Sequence, residues 1–417
     1  MIPRFALVKQ TLPDKIVDDI PGEVRLELAR IGLAKKIRPG MTIAITAGSR
    51  GVNNYPMILK TVVAWLQELG AEPFIVPTMG SHGGATAEGQ IEVLQGLGIT
   101  LETVGAPIKS SMDVVQLGQT EQGTPVYLDA YAAQADGIIA VARIKPHTDF
   151  RGPIESGLLK MVTIGLGKHK QALAIHRYGV KGLKYHIPEV AQVTLAKAPI
   201  LLGLGILENG YDQTAKIVAV RPQDFAEQEP LLLEEARTLM PSLPMEELDV
   251  LLVGEIGKNF SGTGMDTNII GRVDIYGEPE FERPRIQYII ALDLSEAAHG
   301  NALGIGLADL TTDRLVKKIN YPVMRENVLT SSFINRGKIP LALANDREAI
   351  LAAQRCLWLA EPEQARMAYI PNTLDISKML VSESVLFQLG KQDGIEILSD
   401  LDNLSFDRDG NLMVSLD

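Results

Sequence analysis

Residues 41–78 read MTIAITAGSRGVNNYPMILKTVVAWLQELGAEPFIVPT, and the order of elements within them decides the fold class. The first seven, MTIAITA, are β-branched in part, short, and followed by Gly48, which predicts a buried strand. From Tyr55 onward Met57, Ile58, Val62, Trp65, Leu66 and Leu69 recur at helical spacing, with Pro56 near the start and Gly70 at the end. EPFIVPT then predicts a second strand. Strand, helix and strand in this order form a βαβ unit, whose two strands pair in parallel.

The alternation continues outward. TAEGQIEVLQGLG (86–98) predicts a helix with Thr86 as N-cap and Glu88 in the first turn. ADGIIAVARI (135–144) and APILLGLGILEN (198–209) predict further strands. Two prolines in LMPSLPMEELD (239–249) separate a helix from the strand LDVLLVGEIG, where a second α/β unit begins. That unit includes the strand RIQYIIALDL (285–294), a helix around 309–318 and a strand near ARMAYIPN. The acidic, turn-rich tail carries RDGN (408–411), which predicts a β-turn between short strands. The expectation is an α/β protein of two domains, with its active site in the cleft between them. Residues 1–243 would form a largely parallel sheet flanked by helices, and 244–417 a second α/β domain whose tail packs back on the first.

Composition narrows the function. The chain has 417 residues, enough for two or three domains with sizeable cores. A formal charge of −11 and the absence of a Lys/Arg run argue against a nucleic-acid partner. The single cysteine, Cys356, precludes an internal disulfide, and the N-terminal sequence lacks the apolar core of a signal peptide. Apolar runs such as APILLGLGIL reach about half of the ~20 residues of a membrane span. A cytoplasmic protein without a membrane partner is expected.

In parallel sheets, ligands bind beyond the carboxyl ends of the strands. The turns AGSRG (47–51), MGSHGG (79–84) and RIKPHTDFRG (143–152) each follow a predicted strand and should project from that one edge. They bring Arg50, His82 and His147, three chemically competent side chains. GLGIL and GLGKHK lack the third glycine of a dinucleotide fingerprint, and no G-x-x-x-x-G-K-[ST] occurs. Of the six histidines, His169 lies between two lysines on an expected solvated face, while His186 and His299 have no partner motif. Two imidazoles and a guanidinium suit a small carboxylate or phosphate, with Arg50 as a bidentate anchor and a neutral imidazole taking a proton. A base on each side of a carbon is also what a racemase or epimerase requires. Three histidines could instead hold a zinc with an open position, although no H-E-x-x-H spacing occurs.

The motifs AGSRG, MGSHGG, IKPH, SGLLK and the last histidine of ALAIH stand in the order seen in the lactate racemase family, which the chain resembles over roughly residues 10–220. Lys160 precedes His176 by sixteen positions, the family's spacing between its tethering lysine and its nickel-ligand histidine. The resemblance implies a 2-hydroxy acid racemase or epimerase that uses a nickel-pincer nucleotide, pyridinium-3,5-bisthiocarboxylic acid mononucleotide nickel. It implies that the cofactor is covalently attached at Lys160 and contacted by Ser156 and Gly157, with His176 as the metal ligand. His82 and His147 are similar to the family's paired acid/base histidines, and Arg50 to its carboxylate anchor. The substrate would be a small-molecule 2-hydroxy acid, and proteins of cofactor biosynthesis would be partners. This chain departs from the family at Ala47, where an aspartate usually stands, and in a longer loop, TDFRGPIE, which adds Arg151 and Glu155 and would reshape the substrate pocket.

Two residues have a reading of their own. Lys160 is flanked by Leu158, Leu159, Met161 and Val162, so burying it charged would be costly unless it snorkels to water or is acylated. In the second domain EIGKNFSGTGMDTNIIGR (255–272) is a glycine-rich loop after a strand. Either Lys258 closes over the substrate carboxylate, or the loop's Gly, Asn and Asp serve turns. Two alternatives to the racemase remain: a cofactor-free relative that binds a nucleotide or hydroxy acid without catalysis, and a zinc-dependent hydrolase.

Overall fold

The opening strand, β1 (Phe5–Gln10), joins the far end of the chain rather than the strands that follow it. The computed structural model describes residues 2–390 and 392–416 and divides them into two units. One runs from Pro13 to Met240. The other joins the residues up to Leu12 to those from Pro241 onward.

The Pro13–Met240 unit is built on β2 (Thr42–Ala47), β3 (Glu72–Pro77), the hairpin β4 (Val114–Gln119) and β5 (Pro125–Asp129), β6 (Gly137–Arg143), β7 (Ile200–Glu208) and β8 (Thr214–Val220). Its main sheet has the order β3-β2-β6-β7-β8, parallel except for β8. The strands are short apolar runs because helices cover them, and Ile43, Ile45, Ile75, Ile139, Val141 and Leu204 are all fully buried. Helix Tyr55–Glu68 contributes Ile58, Leu59, Val62 and Leu66 to the same core, as its spacing predicts. Thr86 accepts from the Gly89 N–H at 3.1 Å, the expected N-cap.

The chain leaves β2 toward β3 on one side, while β6 lies on the other, so the switch point falls between β2 and β6. These two strands pair only from Ile43/Gly137 to Ile45/Ile139. Beyond that they part, and the Thr46 hydroxyl takes over: it accepts from the Val141 N–H at 2.8 Å and donates to the Val141 carbonyl at 3.2 Å. A crevice therefore opens at the carboxyl edge, where the sequence places its polar turns.

The second unit holds an eight-stranded sheet. It comprises β9 (Glu247–Ile256), β10 (Arg285–Leu294), β11 (Leu310–Thr312), β12 (Leu341–Leu343), β13 (Met367–Ile370), β14 (Lys378–Ser382) and β15 (Ile395–Ile397), with β1 between β14 and β15. β9 to β13 pair in parallel; β14, β1 and β15 are antiparallel. This differs from the expected division at 243, which gives residues 1–12 to the first domain. FALVKQ reads as a strand but carries no local signal of its partner, and the register Phe5↔Ser382 to Lys9↔Lys378 decides it. The tail likewise packs on its own unit: Asp402 bridges Phe5, and the Leu412 N–H donates to Asp346. RDGN does form a turn, between Ser405–Phe406 and Leu412–Met413. No helix among the described residues is long and apolar enough to cross a membrane.

Thr46→Val keeps the shape at the switch point but leaves the buried Val141 N–H without its acceptor. It should lower stability by about 1–3 kcal/mol, read from a denaturant midpoint that falls while the slope stays constant.

Candidate active site

Lys160 closes a short helical turn, Leu158–Lys160, which continues through a π-helical segment, Met161–Gly165, and leads to helix Lys168–His176. Such wide turns cluster at functional sites. The start of this segment is set by Glu229, a buried carboxylate whose Oε2 accepts from the Leu159 N–H at 2.8 Å. A Cβ on Gly157 would stand 2.5 Å from Glu229 Oε1, so Gly157 is glycine to admit that carboxylate. Ser156 pairs through its backbone with Lys145, closing the loop that carries His147. Burial pushes Glu229 up to about 7, against the pull of the Leu159 and Leu158 amides.

Inside that loop Glu155 is the organiser. Its side chain is fully buried and accepts from the His147 N–H at 2.5 Å and the Gly152 N–H at 2.9 Å, while pairing with Arg237 at 2.5 Å. Arg151 donates to the His147 carbonyl at 3.0 Å and lies 3.7 Å from Glu155, so the extra arginine of this loop braces the loop itself. His147 stacks on Phe150, receives the Asp149 N–H at Nδ1 (3.1 Å) and presents Nε2 to the Lys160 amine at 2.9 Å.

The other two turns reach the same place. The Tyr55 hydroxyl accepts from the Gly48 N–H at 2.9 Å, and Glu208, at the end of β7, takes both the Asn53 N–H at 2.7 Å and Arg143 at 2.5 Å. A Cβ on Gly48 would lie 3.4 Å from Met161 Cε, which puts the Arg50 turn against the Lys160 segment. His82 hydrogen-bonds through Nδ1 to Ser49 Oγ. At Gly80 (φ +60°) a Cβ would lie 3.2 Å from Ile164 Cγ2, a tight approach at a left-handed position that favours glycine. The His82 turn is also held by Gln90, which donates to the Gly80 and His82 carbonyls at 3.1 and 3.2 Å. Gln90 in turn accepts from Lys168 at 3.2 Å.

Lys168 corrects one expectation. The sequence sets it beside a solvated His169, yet it is fully buried, with Nζ 3.2 Å from Asp129 and bonded to the Pro77 carbonyl. Its left-handed backbone (φ +55°) turns the side chain inward, which spacing alone does not reveal. His186 is also packed, against Tyr178 and Thr124.

Electrostatically the cluster is one unit. Burial, opposed first by Asp149, brings the Lys160 amine down to about 8; Arg50 lowers it further and Glu155 raises it. His176 is open to solvent, yet desolvation and then the Lys160 charge hold its imidazole below the ordinary value, with Asp149 opposing. The exposed Arg50 is coupled to Arg143 and Asp149. Arg50, Lys160 and His176 are thus coupled, His147 joins them through Lys160 and His82 through Ser49, the neighbour of Arg50, and Asp149 is the carboxylate among them, a residue the sequence reading passed over. Lys258 belongs to the other unit and donates to Asn327 at 2.5 Å. Its loop spends Ser261, Thr263 and Asp266 on turns and a helix cap, and Arg272 on Asp309, which favours the structural reading for those residues. Among the described residues no group of three His, Cys, Asp or Glu side chains could hold a metal, whereas a catalytic zinc takes three protein ligands. A groove of about 860 Å³ beside Lys15, Glu23, Lys216 and Arg221 lies along β8, and carries none of these residues.

Because Glu229 titrates near 7 when folded and near 4.5 when not, the folded chain retains a proton that the unfolded chain releases. That contribution is complete below pH 4.5 and is lost as pH rises to 7. Glu229→Gln should flatten the fall of the thermal midpoint across this window; an unchanged slope would place the titrating group elsewhere.

Residues 28–184, which include all five linked residues, match the family described as the lactate racemase N-terminal domain. No curated protein matches the sequence. The fold is similar to that of the lactate racemase apoprotein from Thermoanaerobacterium thermosaccharolyticum, with a TM-score of 0.53 at 13% identity over 88% of this chain and 94% of that one. It is similar also to a crystal structure of a Thermotoga maritima protein, with a TM-score of 0.51 at 12% identity over 84% and 96%. Residues 28–184 therefore resemble the lactate racemase N-terminal domain, and the fold as a whole is similar to that of a lactate racemase apoprotein.

Proposed function

We propose that this protein is a racemase or epimerase of a 2-hydroxy acid, working through a nickel-pincer nucleotide attached at Lys160. The observation that carries the reading is the linked set of Arg50, His82, His147, Lys160 and His176 at the carboxyl edge of a parallel sheet. The residues fit the group. Lys160 is an amine with a depressed pKa, so acylation removes a charge that its surroundings disfavour. His176 is held neutral and open to solvent, the state in which imidazole ligates a metal such as nickel.

When bound, the group supplies the exchange of hydride at C2; orientation and proton handling fall to the chain. Arg50 pairs with the substrate carboxylate. His82, its Nδ1 held by Ser49 of the Arg50 turn, and His147, its Nδ1 held by the Asp149 N–H, serve as the acid/base pair that moves the hydroxyl proton, His147 through its Nε2–H as the acid. Ser156 and Gly157 flank the attachment point, and Lys258 is a further candidate for the carboxylate. Alanine at position 47, buried at the end of β2, withholds an acidic group from the Arg50 turn. A cytoplasmic chain served by the proteins that build the cofactor follows from this reading.

The test is the intact mass and nickel content of the protein from a host that makes the cofactor. An adduct with about one nickel per chain, absent in Lys160→Ala, is expected. His82→Ala should keep the adduct while turnover of the hydroxy acid falls by roughly 10²–10⁴-fold. An unmodified, nickel-free chain from that host would refute the reading and favour a cofactor-free binding protein.

A further inference from the structure

His147 is engaged at both ring nitrogens, and the two contacts fix more than its position. The Asp149 main-chain N–H points at Nδ1 from 3.1 Å, so Nδ1 accepts. The Asp149 carboxylate, 3.7 Å from the same nitrogen, is beyond the reach of a proton there. A neutral ring whose Nδ1 accepts carries its proton on Nε2. That Nε2–H faces Lys160 Nζ at 2.9 Å, and a hydrogen bond of this length needs a lone pair on Nζ, which an ammonium lacks. One protonation state satisfies both contacts: imidazole with its proton on Nε2 beside a free amine.

We propose that His147, in the tautomer set by the main chain of Asp149, receives the free-amine form of Lys160 on its Nε2–H, and so favours that form in the unmodified chain and readies it for acylation. The proposal deepens the reading above and rests on it for the identity of the acyl donor alone. Arg50 and burial favour the neutral amine, and Asp149 and Glu155 oppose it, with a balance near 8. At pH 7 the free-amine fraction then rises from roughly one in three thousand for an ordinary lysine to roughly one in ten.

In the loading step the Nζ lone pair turns from His147 to an activated acyl or thioacyl carbon. A C–N bond forms, the bond from that carbon to its leaving group breaks, and the leaving group departs with the electron pair. One Nζ proton passes to the leaving group or to water. His147 keeps its own proton throughout and is a positioning residue here. The acylated nitrogen no longer offers a lone pair, so the Nε2–H is released to face a substrate oxygen.

Two measurements on the cofactor-free protein test this. Ring-¹⁵N-histidine NMR, with His147 assigned by its loss in His147→Gln, should show the proton on Nε2; a proton on Nδ1 overturns the proposal. Acetylation of Lys160 by a small water-soluble reagent, followed by peptide mass spectrometry against pH, should be half-maximal near pH 8. In His147→Phe, which keeps a ring over Phe150 but removes the donor, the curve should move up by about one unit, a roughly tenfold slower reaction at pH 7. An unmoved curve in a variant with native circular dichroism overturns the proposal, and if that variant does not fold the tautomer still decides. Neither readout needs the cofactor, so a chain that never acquires nickel in a competent host would refute the proposed function and leave both results standing.

Discussion

Glu155 is the carboxylate on which the site depends. Fully buried, it gathers two main-chain N–H groups from its own loop and the Arg237 guanidinium from a distant helix. A buried carboxylate is tolerable only with such complete pairing, and the pairing fixes the loop from 145 to 156 as a rigid body. His147 takes its position from this loop, and Lys160 takes its partner from His147. Glu229 caps the segment that carries Lys160 from a place that only a glycine at 157 leaves open, but it is less fully paired, and burial pushes it up to about 7.

The two lysines of this segment show how differently one burial can be resolved. Lys168 meets Asp129, Gln90 and a carbonyl, and its contacts tie three elements behind the His82 turn. Lys160, eight residues earlier, has an imidazole as its near neighbour, and the surrounding carboxylates do not outweigh burial. The first lysine is an anchor; the second is left reactive. Lys160 stands at the entry to the wide turn Met161–Gly165, and Lys168 follows it in a left-handed conformation that turns its side chain inward.

Most of the fold was legible. Short apolar runs alternating with amphipathic stretches specified a parallel sheet, and glycine-rich turns after the strands located its ligand edge. Arg50, His82 and His147 stood out for the same reason, because a polar residue just past a buried strand has few other places to go, while Lys160 stood out as a lysine among apolar neighbours in a motif that resembles the family's. Asp149 and Glu155 were visible as acids beside a histidine, but nothing local distinguishes a carboxylate that organises a loop from one that faces water. Lys168 was misread because its burial follows from one left-handed residue.

The sequence by itself determined the class of the fold and the edge at which chemistry is possible, since both follow from periodicities and turn residues confined to short windows; the spacing from Lys160 to His176 gained its meaning from the resemblance alone. Only the tertiary structure decided where β1 pairs and which acids are buried. Those outcomes depend on contacts between residues far apart in the chain, such as Glu155 with Arg237 and Phe5 with Ser382, and no local pattern encodes a hydrogen bond whose partner arrives from elsewhere.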